Sequence, residues 1–164
     1  MSAKTKGGSA KAGSSHDGSS KAEKIDLESR ALRERALAAM DRAYAPYSNF
    51  HVGAALLGGD GSITEACNVE NAAFPAGTCA ERAAVSSAVA RGVRTFRKLV
   101  IATDAPDPTP PCGMCRQALM EFAPELEIVS ITRAGKESHW RLSDLLPEAF
   151  SPSALQRAMK RTNG

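Results

Sequence analysis

The chain has 164 residues, enough for one domain with its own apolar core. No apolar run approaches the ~18 residues of a membrane span, and the N-terminus lacks the apolar stretch of a secretory signal, so a cytoplasmic location without a membrane partner is expected. The net charge of +3 sits in residues 1–24, where five lysines face Asp17 and Glu23; the remainder is neutral. A folded nucleic-acid reader carries its basic charge on the folded surface, which argues against a nucleic-acid partner.

Residues 1–24 are rich in Gly, Ser, Ala and Lys without apolar periodicity, and read as a disordered tail. Residues 25–151 read as the folded domain and 152–164 as a helical extension. Asp26 is positioned to cap a helix running to about Ala43, with Leu32, Ala36, Ala39 and Ala43 on one face and Pro46 beyond its end. Val52 to Leu57 has the short apolar character of a buried strand. Gly58-Gly59-Asp60-Gly61 turns the chain into a second strand, Ser62 to Ala66.

A second helix is expected from Cys79 to Gly92, followed by a buried strand from Leu99 to Thr103. The Pro-rich loop Asp104 to Pro111 leads into a third helix, Cys112 to Phe122. Leu126 to Thr132 is a further strand, and Ala134-Gly135 turns into a fifth that ends near Leu142. From Ser143 the chain reads as two short helical pieces broken at Pro147. This order predicts an α/β fold, one mixed sheet with helices on its faces.

Four cysteines are present: Cys67, Cys79, Cys112 and Cys115. Cys112 and Cys115 are three apart at a helix start, so both side chains can face one metal ion. Cys79 also opens a helix, and helix N-termini favour thiolate over thiol. Three thiolates with one open position describe a catalytic zinc site, whereas a structural site closes all four. Glu81, two residues after Cys79, is placed to reach a water at the open position. Three thiolates leave the zinc centre negative, and Arg82 is the nearest cation to offset that charge. Two other readings stay open on spacing: a structural site with Cys67 as fourth ligand, and a redox pair at Cys112 and Cys115. Cys-x-Glu upstream of Pro-Cys-x-x-Cys is the pattern of zinc deaminases, in which Cys replaces His.

Further segments extend this likeness: Tyr44-Ala45-Pro46-Tyr47-Ser48-Asn49-Phe50, Val52-Gly53-Ala54-Ala55, Asn68-Val69-Glu70-Asn71-Ala72, Pro111-Cys112-Gly113-Met114-Cys115-Arg116-Gln117 and Leu145-Leu146-Pro147. Over about Leu27 to Phe150 the chain resembles the small homotetrameric, zinc-dependent cytidine deaminases. The resemblance implies a three-layer α/β/α fold around a mixed five-stranded sheet. It also implies one Zn²⁺ per chain on Cys79, Cys112 and Cys115, with Glu81 as proton shuttle and Arg82 compensating the thiolate charge. Asn68 and Glu70 would bind the ribose, Phe50 would pack on the nucleoside, and the Ala80 N–H would hold the pyrimidine O2. Phe150 would reach a neighbouring subunit's site in a homotetramer.

The implied reaction is hydrolytic deamination of cytidine and deoxycytidine in pyrimidine salvage, with a zinc-bound hydroxide attacking C4 and Glu81 moving the proton. Three rival readings are a blasticidin S deaminase-type enzyme, a polynucleotide editor and a non-catalytic zinc module. Glu81 has no purpose in the last of these. Phe74, Ala66 and Ser151 depart from residues common in the family. His16, His51 and His139 have no partner spacing and receive no role.

Overall fold

The computed structural model of the protein describes residues 17–161, with the side chains of residues 23–160. The elements run in the order α1 (Asp17–Met40), β1 (Val52–Gly58), β2 (Ile63–Cys67), a 3-10 turn (Phe74–Ala76), α2 (Ala80–Ala90), β3 (Phe96–Thr103), α3 (Gly113–Met120), β4 (Glu127–Thr132), β5 (Glu137–Arg141), α4 (Leu142–Leu145) and α5 (Pro152–Arg161). The strands form one five-stranded sheet in the order β2-β1-β3-β4-β5. β1 is antiparallel to β2 and β3, β4 is parallel to β3, and β5 is antiparallel to β4. The parallel pair is joined through α3, as a crossover requires. No described helix is long and apolar enough to cross a membrane.

Helices cover both sheet faces, so the central strands are apolar without alternation. All seven residues of β1 are buried. Successive side chains still point to opposite faces. Ala54 and Leu56 join Leu99, Ile101 and Ile128 beneath Ala80, Ala84 and Ala88 of α2. Ala55 and Leu57 join Val100, Ala102 and Val129 beneath Leu32, Ala36 and Met40 of α1. This is the three-layer α/β/α arrangement expected above.

Boundaries differ from expectation at several places. α1 starts at Asp17, inside the stretch read as a disordered tail, and ends at Met40, short of Ala43. Lys21, Ala22, Glu23 and Lys24 are strong helix formers that extend a packed helix, and an extension set by propensity has no apolar periodicity to betray it. Residues 1–16 of that tail, His16 among them, lie outside the described residues. Cys79 and Cys112 are not first helical residues but N-caps. Ser151 caps α5: its Oγ accepts a hydrogen bond from the Ala154 N–H at 3.2 Å.

Gly53 fixes how closely α1 approaches the sheet. A Cβ there would lie 2.0 Å from the Ala36 carbonyl oxygen and 2.4 Å from the Met40 nitrogen, both backbone atoms that no rotamer change can move. Gly53→Ala is expected to destabilise the fold by about 1–3 kcal/mol, the usual cost of overpacking. Gly113→Ala, whose Cβ meets nothing within 4 Å, is the control. Thermal melts of the two variants beside the parent check this; equal midpoints for Gly53→Ala and the parent would contradict the close-approach argument.

Candidate functional site

α2 and α3 begin at the same place, beyond the carboxyl end of β3. Both N-caps have extended backbone, with φ −73° and ψ 151° at Cys79 and φ −66° and ψ 165° at Cys112. In that conformation the Cys79 and Cys112 side chains stand ahead of the first turns, and Cys115, one turn into α3, turns back to meet them. The Sγ atoms of Cys112 and Cys115 lie 3.4 Å apart and those of Cys79 and Cys112 3.9 Å apart. All three sulfurs fall within 4.8 Å of one another.

Thiolates on a tetrahedral zinc ion with bonds of ~2.3 Å are spaced by about 3.8 Å, so the donor set fits the metal. Cys67 takes no part: its Sγ lies 3.5 Å from the Arg42 carbonyl at the end of β2. The four-cysteine alternative therefore has no support among the described residues.

The cluster's electrostatics suit a metal. A hydrogen bond from Cys115, reinforced by Arg82, pulls the Cys79 thiol down to about 5. Cys115 moves the other way, raised by its bond to Cys79 and by burial. The Arg82 Nη2 lies 3.9 Å from the Cys79 Sγ and donates to the Gly77 carbonyl at 3.2 Å. Arg116 braces the α3 side, donating from Nε to the Pro111 carbonyl and from Nη1 to the Leu145 carbonyl, each at 2.8 Å. The loop that carries Cys112 is thereby tied to α4.

Beside the sulfurs lies a cavity of about 170 Å³ whose walls include Phe50, Asn68, Cys79, Ala80, Glu81 and Cys112. Six residues expected at the site are thus brought together. Glu81 is only 5% exposed. Burial, and then the nearby Cys79 charge, push its carboxyl above the ordinary carboxylate range. Asn68 already has protein partners: its Nδ2 donates to the Phe50 carbonyl at 2.9 Å and its Oδ1 accepts the Val52 N–H at 2.8 Å. It therefore holds the cavity wall as well as lining it.

Two expected residues lie elsewhere. Glu70 lines an adjoining hollow with Tyr47, Ser48, Asn71, Phe74 and Gly77. A third hollow shares Asn68 and Cys79 with the cavity, and Glu70 and Phe74 with the second. The Glu70 carboxylate accepts hydrogen bonds from the Tyr47 N–H at 2.9 Å, the Ser48 N–H at 3.2 Å and the Ser48 hydroxyl. The bonds from Ser48 and Tyr47 hold it below the usual carboxylate range. Phe150 is 61% exposed and does not line the cavity of its own chain. Its carbonyl accepts a bond from the Gln117 Nε2 at 2.7 Å.

Three features had no sequence signal. Thr103 and Thr109 also line the cavity, on strand and loop positions that no motif marks. His51, expected to be without a partner, pairs through Nδ1 with the Asp104 Oδ2 at 2.7 Å, and its backbone N–H donates to the Asp104 Oδ1 at 3.2 Å. This pair clips the residue before β1 to the residue after β3, fifty-three positions away in the chain. His139 meets Glu137 at 3.0 Å.

The division between Cys67 and the other three cysteines has a direct consequence. Cys67→Ser is expected to keep one zinc per chain, while Cys112→Ser loses it and melts at lower temperature, because metal binding is coupled to folding. Metal analysis of the purified variants checks this, and zinc loss from Cys67→Ser would restore the structural-site reading.

Residues 27–143 match the family model described as the cytidine and deoxycytidylate deaminase zinc-binding region. The cytidine deaminase of Sporosarcina psychrophila is 42% identical over 140 residues, 85% of this chain and 98% of that protein. The crystal structure of cytidine deaminase from Burkholderia pseudomallei superposes with a TM-score of 0.71 at 46% identity, covering 74% of this chain and 98% of the other. That of cytidine deaminase from Mycobacterium tuberculosis does so with a TM-score of 0.64 at 39% identity, covering 74% and 95%. The matched span contains the three thiols and Glu81, and the likeness runs through nearly the whole length of each relative, so the chain belongs to the zinc-binding cytidine deaminase family.

Proposed function

We propose that the chain hydrolyses the 4-amino group from cytidine and deoxycytidine, giving uridine or deoxyuridine and ammonia. The observation that carries this reading is Glu81, a buried carboxyl in the wall of a cavity of about 170 Å³, beside three thiols at zinc spacing. Zinc held by Cys79, Cys112 and Cys115, one ion per chain, supplies Lewis-acid activation of water at neutral pH.

Glu81 takes one proton from the attacking water and delivers it to N3 of the ring as the C4–O bond forms. It then moves the proton of the new C4 hydroxyl to the amino nitrogen, the C4–N bond breaks, and ammonia leaves with C4 as a carbonyl. Burial suits Glu81 to this work, since it raises the carboxyl's affinity for the proton that it must carry. Arg82 offsets the thiolate charge. The Ala80 N–H, at the open start of α2, holds the pyrimidine O2. Phe50 packs on the nucleoside.

Asn68 and Glu70 take the sugar on this reading, at the end of the cavity that opens toward the second and third hollows. Phe150 serves a neighbouring subunit's site in a homotetramer. Its exposure supports this, as does that of Tyr47, Phe74 and Met114 around the same hollows, since large apolar side chains on one rim favour a covering partner. A cytoplasmic enzyme of pyrimidine salvage is the setting that fits.

Glu81→Gln is expected to keep zinc and fold while turnover falls by ~10²–10⁴-fold, the range lost with a general acid–base group. Ammonia release from cytidine, deoxycytidine and blasticidin S, with metal analysis alongside, tests both the substrate and the shuttle. Near-normal turnover by a zinc-loaded Glu81→Gln protein would sink the proposed proton path.

The ionised Glu70 carboxylate at the sugar end also predicts discrimination against a sugar phosphate by like-charge repulsion. CMP should be turned over with a kcat/KM at least about tenfold below that of cytidine. Equal values for the two substrates would remove Glu70 from the sugar.

A further inference from the structure

Thr103 closes β3 at the cavity wall. It is 1% exposed, yet its Oγ1 is buried with no hydrogen-bond partner in the protein. A hydroxyl left so is costly unless a bound molecule satisfies it. Its neighbours give no relief. On its own strand the preceding wall residue is Ile101, and across the sheet Thr103 registers with Val52, both apolar and both lining the same cavity.

The other polar side chains of that wall already have protein partners or an assigned role. The Asn68 amide binds the Phe50 and Val52 backbone. The Thr109 hydroxyl donates to the Asp107 carbonyl at 3.4 Å. The cysteines form the metal cluster, and Glu81 is the proton carrier. Among the described residues lining the cavity, Thr103 has a buried side-chain hydroxyl with no protein partner to satisfy it.

It is also held rigidly. β3 pairs on both sides up to Thr103, with Val52 of β1 and Thr132 of β4. The next residue, Asp104, is clamped to His51 through side chain and backbone. A hydroxyl on such a strand end is fixed before the ligand arrives, which lowers the entropy cost of the contact.

We propose that the Thr103 hydroxyl is a substrate contact, hydrogen-bonding the polar edge of the pyrimidine in the cavity. This rests on the deaminase reading of that cavity. Cytosine and uracil rings each carry polar atoms around most of their edge, so the contact serves substrate and product alike. An apolar wall of Val52 and Ile101 interrupted by one hydroxyl discriminates between rings by where their polar atoms fall.

The test uses the zinc-loaded full chain. Thr103→Val removes the hydroxyl and keeps the shape, while Thr103→Ser keeps the hydroxyl. Deamination of cytidine and calorimetric binding of uridine, which needs no turnover, are measured on both and on the parent. Thr103→Val should lose about tenfold in kcat/KM and a similar factor in uridine affinity, the size of one buried hydrogen bond, while Thr103→Ser stays within about twofold.

The thermal midpoint of Thr103→Val should equal or exceed the parent's, because a methyl now fills a site where a hydroxyl lacked a protein partner. If Thr103→Val folds poorly, Thr103→Ala against Thr103→Ser gives the same comparison. Parent-like uridine affinity and kcat/KM in a hydroxyl-free variant would overturn the proposal while leaving the deaminase reading intact. A parent protein that binds no uridine and leaves cytidine unchanged would overturn both.

Discussion

Three sulfurs within 4.8 Å of one another are the constraint on which the rest depends. As thiolates they repel, and as thiols they have no reason to converge. The chain resolves this by starting two helices at one point, so that their N-terminal dipoles and the Arg82 guanidinium face the cluster. Such a site is stable when a divalent cation sits among the sulfurs, and metal binding and folding then become one equilibrium.

The placement of those helix starts is decided by small residues under them. Ala80, Ala84 and Ala88 form the face of α2 that meets the sheet, so the helix lies close to β1. On the far side Gly53 lets the backbone of α1 touch the same strand. A strand pressed between two helices at near backbone contact has little freedom to shift. Val52 at its start, and Ile101 and Thr103 at the carboxyl end of β3 beside it, line the cavity, so packing fixes this part of the wall along with the Asn68 hydrogen bonds.

Several side chains at the site serve two purposes. Asn68 ties Phe50 and Val52 together while lining the cavity, and Glu70 organises the Tyr47–Ser48 turn while facing the adjoining hollow. Each is already ordered by protein partners, so a ligand that meets it does not have to immobilise it. The His51–Asp104 clip plays a comparable part without reaching the cavity, fixing the strand ends that carry Phe50 and Thr103.

The three clustered cysteines and the layered fold were legible in the sequence, as was Glu81 as the carboxylate nearest them. Cysteines spaced by one helical turn, a carboxylate two residues after a ligand, and apolar runs punctuated by Gly and Pro are local signals that report local geometry. It misread the start of α1, because a helical extension set by propensity carries no apolar periodicity.

Relations between chain segments distant in sequence were settled only by folding. It set Cys67 apart from the other cysteines. It gave His51 its partner, put Glu70 in a hollow beside the cavity, and left the Thr103 hydroxyl in the cavity wall without a protein partner. A threonine at the end of an apolar strand looks like any other strand residue. Its meaning arises from what α2, β1 and the Pro-rich loop bring around it, and no spacing within the chain encodes that.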